Sequence, residues 1–182
     1  APQDTGKGPS SIEGFAISDD SRFAAVGITP GGAERDRELH VIDAGTGKET
    51  SDVILRASGG AEWLPGNDAF VYSRLQDLPP GAPATEVEQK ERTYLHHLGT
   101  DSRTDQPVFG YGVVPSIAVD STHFADISVG PRSKYAVGYI NDGVSPNSAI
   151  YVAPVDSIGS AHTPWRPVAA FGDDVSSVAV HG

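Results

Sequence analysis

The chain has 182 residues, with 24 acidic against 13 basic side chains and a formal charge of −11 at pH 7. That balance excludes nucleic-acid binding, which needs a basic surface to neutralise phosphates, and no apolar run approaches the ~18 residues of a membrane span. Cysteine is absent, so disulfide and thiol chemistry are excluded too, whereas 21 glycines and 14 prolines without a long apolar helix face indicate many turns between short strands.

In chain order, residues 1–11 read as an extended arm rich in Gly, Pro and Ser, polar and without the basic start and apolar centre of a signal peptide. A first unit follows over residues 12–56. Its segment Phe15 to Ile28 reads as strand, tight turn and strand, with Ser18, Asp19, Asp20 and Ser21 as turn formers that bond their own backbone amides. Glu38 to Asp43 is its third strand, and the run Asp43 to Gly47 supplies the glycines of an outer turn. The second unit, residues 57–109, repeats the pattern in Ala61 to Arg74 and in the strand Thr93 to Leu98. It carries the longest insert, Gln76 to Arg92, in which Leu78 to Pro83 is irregular and Glu86 to Arg92 is the place for one helical turn. The third unit, residues 111–170, repeats it in Ala125 to Tyr139 and Ala149 to Pro154, and residues 176–182 begin a further unit.

Three related units spaced by roughly 45–65 residues, each of three or four short antiparallel strands, are the signature of β-propeller blades. The expected fold is therefore all-β, a propeller fragment of about three blades plus the start of a fourth. The unfinished last unit, together with the absence of methionine even at position 1, leads us to expect an excised piece of a larger protein.

Residues with chemical potential are sparse. No Gly-x-Ser-x-Gly elbow occurs, and Ser10, Ser11, Ser58, Ser102 and Ser133 read as turn or loop serines, so no catalytic residue is assigned. His96 and His97 are adjacent on a strand, where neighbouring side chains face opposite sides and cannot chelate one ion. His40, His123, His162 and His181 lack a ligand at metal-binding spacing, so neither metal nor cofactor is expected. The pairs Asp19–Asp20 and Asp173–Asp174 read as solvated turn acids, although a glycosidase-like carboxylate pair would meet in space rather than along the chain. Phe15, Phe23, Trp63, Phe70, Tyr72, Phe124, Tyr135 and Tyr139 recur at equivalent places, which points to packing between blades.

Whole stretches resemble the prolyl oligopeptidase family of serine peptidases, over about positions 8 to 182. Gly14 to Gly27 is similar to the second blade of that family's propeller and Ala61 to Arg74 to the start of the third. Glu88 to Asp101 resembles a distinctive family segment with Gln-Lys, an aromatic strand and Leu-Gly-Thr, and Trp165 to Val168 and Val178 to Gly182 look like the approach to the fifth blade. The resemblance implies a non-catalytic propeller part that admits short peptides to a separate hydrolase domain cleaving after proline. It also implies partners in that hydrolase domain, the remaining blades and a short peptide substrate. No triad position maps onto this chain. Where the family often has Arg-Glu-Gly-Cys facing the substrate cavity, this chain has Asn141, Asp142, Gly143 and Val144. The arginine contact and thiol sensitivity are therefore not implied here.

Two other readings stand beside it: a stand-alone propeller that binds proteins or ligands, and a propeller enzyme using paired carboxylates. Soluble behaviour without membrane or nucleic-acid partners is expected, with cationic or neutral peptides preferred over acidic ones. The end faces of an excised array should be bare and apolar, with Phe15 and Phe23 at one end and Tyr135 and Tyr139 at the other, which favours self-association.

Overall fold

The structure, a computed structural model, describes residues 9–32 and 37–178. Among these, twelve strands form three four-stranded antiparallel sheets, each an up-and-down meander of consecutive strands. The first sheet holds β1 (Ser11–Ile17), β2 (Phe23–Thr29), β3 (Glu38–Asp43) and β4 (Lys48–Leu55). The second holds β5 (Ala57–Trp63), β6 (Ala69–Arg74), β7 (Arg92–His97) and β8 (Gln106–Gly110). The third holds β9 (Phe124–Val129), β10 (Tyr135–Asn141), β11 (Ala149–Pro154) and β12 (Arg166–Ala169). The first strands of successive sheets touch in series, β1 against β5 and β5 against β9. The sheets are blades whose inner edges meet: a partial β-propeller.

Alternation along the strands assigns each side chain to a seam. In the central blade Phe70, Tyr72 and Tyr94 pack toward the first blade on Leu39, Val41 and Ile54. Ala69, Val71, Leu95 and Phe109 pack the other way on Ala125, Ile127, Ala136 and Ile140. This period of two buries β6 on both faces, and each large side chain so removed from water contributes about 1.5–3 kcal/mol. Trp63 closes the first seam: its ring stacks on Phe23 at 6.2 Å, meets Phe70 edge-on at 5.1 Å, and its Nε1–H donates to the Ala16 carbonyl at 3.1 Å. In the second seam Phe109 lies 4.7 Å from the Trp165 ring.

The same parity divides the repeated aromatics between packed seams and end faces, and it moves Phe23, expected on the bare end face with Phe15, into the first seam. Phe23, Trp63, Phe70 and Tyr72 do pack between blades, but Phe15, Phe124 and Tyr135 are exposed. Ala16 on β1, Ala125 on β9 and Ala136 on β10 face the central blade, so the adjacent aromatic in each case points away from it. Tyr139 also lies on the far face of the third blade, where its hydroxyl donates to the Val178 carbonyl at 3.1 Å. Val175 and Val178 cover Val137 and Ile150 there, so this face is partly clothed, whereas the outer face of the first blade leaves Phe15, Ile17 and Leu55 more than half exposed.

Among the described residues, helix is limited to 3-10 turns of three to five residues. The turn expected over Glu86 to Arg92 forms earlier, at Ala84–Glu88, because Lys90 takes φ 58° and Arg92 already begins β7. Ser11 and Ser58, read as turn or loop serines, lie within β1 and β5; Ser58 sits where three residues of β5 leave the ladder between Ala57 and Ala61. One residue, Arg56 in the left-handed region at φ 58°, joins β4 to β5, whereas residues 111–123 separate β8 from β9. Of the arm over residues 1–11, the first eight lie outside the described residues, as do residues 179–182 of the further unit.

Candidate functional site

Antiparallel meanders send alternate connections to opposite ends of the blades. One end carries tight turns after β1, β3, β5 and β9, together with residues 98–105 after β7 and 155–165 after β11; the other carries residues 75–91, 111–123 and 142–148 after β6, β8 and β10, the first two being the longest connections. At the tight end the carboxylates work as caps. Asp20 accepts from the Ser18 hydroxyl at 2.7 Å and the Arg22 amide at 3.0 Å, bonds that hold it below its ordinary value. Asp43 accepts from the Thr46 amide and hydroxyl. At the opposite end Asp173 caps the Ala170 amide and Asp174 accepts from Asn147, so neither acidic pair forms a facing couple.

The long connections pack on one another. The Lys90 amide donates to the Ser121 carbonyl at 2.6 Å, and the His123 ring lies 5.3 Å from Phe171. Asn141 to Val144 leave β10 at this end. The Asn141 Oδ1 accepts from the Gly143 amide at 3.2 Å, and the Asp142 Oδ1 from the Val144 and Ser145 amides at 3.0 and 2.7 Å. These backbone donors, Ser145 foremost and then Val144, with a smaller contribution from His123, hold Asp142 below the usual carboxylate range. Gly143 is required twice over: its φ is 71°, and a β-carbon would stand 2.7 Å from the Phe124 ring. The carboxylate of Asp142 is thus spent on shaping the loop, while Val144 projects 92% exposed.

At the inner edge a cleft of about 290 Å³ opens between the first two blades. Glu13, Gly14 and Ala16 of β1, Gly59, Gly60 and Glu62 of β5, and Arg37 are among the residues that line it. Both strands are irregular here, β1 at Glu13 and β5 over residues 58–60. Arg37 reaches the Ser58 carbonyl at 3.3 Å and Glu13 at 4.0 Å. Deeper between the second and third blades, Glu62 accepts from the Val129 amide at 3.1 Å, and Glu91 from the Ala125 amide at 3.1 Å and from Ser58 Oγ. Desolvation raises Glu62, Glu91 and Asp126 above their ordinary values, and the Asp126 charge adds to the rise in the two glutamates. Asp126 itself is exposed to solvent, which screens its charge.

At the outer part of the first seam lies a buried polar group that sequence reasoning missed. His96, fully buried while His97 is exposed, sits between two carboxylates: Nε2 lies 3.1 Å from Asp52 Oδ1 and Nδ1 lies 3.0 Å from Asp105 Oδ2. Alternation put His96 and His97 on opposite sides of the strand without saying which faces inward, and Asp52 is 44 residues away, so only the packed seam brings it close. Among the described residues, no serine hydroxyl hydrogen-bonds a histidine, and no cluster of His, Cys, Asp or Glu has metal-binding geometry. Nor is any helix among them long and apolar enough to cross a membrane.

Three antiparallel blades with inner edges in series and the two longest connections at one end define a propeller domain segment. Residues 5–172 match the family described as prolyl oligopeptidase, N-terminal beta-propeller domain, and the chain belongs to that family. It is 27% identical over 105 residues to the prolyl endopeptidases of Elizabethkingia miricola and Elizabethkingia meningoseptica, an overlap of 57% of this chain and 15% of each relative. A solved structure from a study of two prolyl endopeptidases and their inter-domain dynamics is 25% identical, with a TM-score of 0.71 over 87% of this chain and 22% of that one. Prolyl oligopeptidase B from Galerina marginata, bound to a 25mer macrocyclization substrate, shares the fold with a TM-score of 0.73 at 16% identity, over 86% of this chain and 22% of that one. The chain therefore spans about a fifth of the solved relatives and less of the curated ones.

Proposed function

We propose that this chain is a non-catalytic, substrate-gating part of a prolyl-oligopeptidase-like serine endopeptidase that cleaves short peptides after proline. The family match over residues 5–172 carries this reading. In this reading the end with the two longest connections, where Asn141, Asp142, Gly143 and Val144 emerge beside His123, faces the substrate cavity and the hydrolase domain of the longer chain. Val144 is the contact residue of this loop, and Asp142 and Gly143 hold its shape. Catalysis lies outside these residues, because an acyl-transfer nucleophile needs an adjacent base and the serines here donate to carbonyls and carboxylates instead.

Two measurements test the proposal. The 182-residue chain alone should neither label with a fluorophosphonate nor hydrolyse a Gly-Pro chromogenic peptide. A longer protein carrying it should cleave a short proline peptide and spare the same sequence within a folded protein, and Val144→Arg in that protein should raise KM with kcat little changed. Stoichiometric labelling of the chain alone overturns the reading. Ligand binding by a longer protein that lacks proline-directed hydrolysis would favour a stand-alone binding propeller instead.

A further inference from the structure

His96 crosses the seam between the first two blades beside Phe70 of its apolar cluster. Among the described residues, two carboxylates face this imidazole. Asp52 comes from β4 of the first blade and also accepts from the Thr50 hydroxyl at 2.7 Å and the Gly99 amide at 2.5 Å. Asp105 comes from the second blade, just ahead of β8, and also accepts from the Tyr72 hydroxyl at 2.8 Å. Arg74 lies behind Tyr72, with Nη1 3.4 Å from its oxygen, and the Phe70 ring covers the imidazole at 5.1 Å. Water has little access: the side chains of His96, Asp52 and Asp105 are 0%, 4% and 2% exposed.

Both ring nitrogens face carboxylate oxygens, and carboxylates only accept. An imidazole satisfies two acceptors only when it carries two protons. With one proton it must turn a lone pair on one carboxylate, and a buried unsatisfied charge is costly. The two carboxylates are not equivalent. Asp52 keeps two other donors, while among the described residues Asp105 keeps the Tyr72 hydroxyl. The last proton therefore stays on Nδ1 toward Asp105, and the bond that is lost is the one to the other blade.

We infer that Asp52, His96 and Asp105 form a proton-operated latch across the first seam, closed when the imidazole carries two protons and released on the first-blade side when it carries one. Burial alone would lower the histidine, but hydrogen bonds and charge from Asp105 and then Asp52 outweigh it and hold the group above its ordinary value. Burial likewise opposes ionisation of Asp52, yet Thr50, Gly99 and His96 together keep it below its ordinary value, so the carboxylate remains charged as the histidine titrates. The latch is thus closed below the ordinary histidine range and opens as pH rises through the elevated native value. The cleft lined by Glu13, Arg37 and Glu62 lies on the inner edge of this same seam.

The experiment uses the nitrogen-15-labelled 182-residue chain. Imidazole nitrogen shifts report the proton count on His96, and exchange of the Gly99 amide, which bonds Asp52 across the seam, reports the latch. The Leu95 amide, in the ladder between β6 and β7, serves as reference. His96 should be doubly protonated beyond pH 6.5, and Gly99 protection relative to Leu95, corrected for intrinsic exchange, should fall at least tenfold across its titration. Asp105→Asn should move that transition to lower pH, and His96→Gln should abolish it. A singly protonated His96 at pH 5.5, flat Gly99 protection across the titration, or an unmoved transition in Asp105→Asn overturns the latch. The first two readings come from the unaltered chain, so a variant that fails to fold leaves the answer intact.

Discussion

The Phe109 ring occupies the space above the α-carbon of Gly138: a β-carbon at residue 138 would stand 2.6 Å from the ring's Cζ and 2.9 Å from a Cε. Phe109 is the penultimate residue of β8 and Gly138 is the middle of β10, so the absence of one methyl group sets how closely the second and third blades approach.

Gly138→Ala should therefore destabilise the chain by about 1–3 kcal/mol, the usual cost of overpacking a filled core. Thermal unfolding should show a Tm several degrees lower, at about 2–4 °C per kcal/mol for a chain of this size. Phe109→Leu combined with it should recover part of the loss. An unchanged Tm in the single variant would mean that the seam can spread at no cost.

At the other seam, Trp63→Ala should cost about 3–5 kcal/mol through the cavity left between Phe23 and Phe70. Trp63→Phe keeps most of the ring but removes the donor to the Ala16 carbonyl, at about 0.5–1.5 kcal/mol. Urea titration of both variants checks the order. A phenylalanine variant as damaged as the alanine one would contradict it.

The inner carboxylates behave oppositely to Asp52 with respect to pH. Glu62 is raised by desolvation, so the native chain holds its proton more tightly than the unfolded chain. Its contribution then turns unfavourable as pH climbs from the unfolded value near 4.5 through the native one. Glu62→Gln should stabilise the chain at pH 7, and the gain should vanish below pH 4. Asp52→Asn should do the reverse, destabilising at neutral pH and least at acid pH, because folding lowers that carboxylate. Denaturant unfolding of the two variants across pH 3.5–7.5 reads both signs, and parallel pH profiles for them would refute the assignment.

What was legible in the sequence was the part governed by neighbours along the chain. The strand Glu38–Asp43 and the strand Ala149–Pro154 were placed residue for residue, because apolar alternation and bounding turns are local signals. The turn at Ser18 to Ser21 was legible for the same reason. The aromatics were less so: recurrence at equivalent places does not reveal which parity faces the neighbouring blade, and Phe23, expected on the bare end face, fell on the inward one. The Asp52–His96–Asp105 group was illegible, since neither carboxylate differs locally from the many turn acids of this chain. The loop Asn141 to Val144 was singled out only through family resemblance.

The exposed face of the first blade should make the isolated chain self-associate. Ile12, Phe15, Ile17 and Leu55 are 54–70% exposed there, an apolar area unusual for a monomer. Phe15→Ser with Leu55→Ser should shift sedimentation at tens of micromolar toward monomer and reduce apolar dye binding. A compact monomer without dye binding before any substitution would refute this.

Arg56 gives the two seams different mechanics. A single residue ties β4 to β5, so the first two blades share a joint without slack and can tilt about it but not slide apart. Residues 111–123 give the second and third blades a long tether instead. Under a pulling force applied along the chain, covalent strain reaches the first joint at once, while the second seam must bear its load through packing alone until the tether is drawn out. The array should part first where Phe109 meets Gly138.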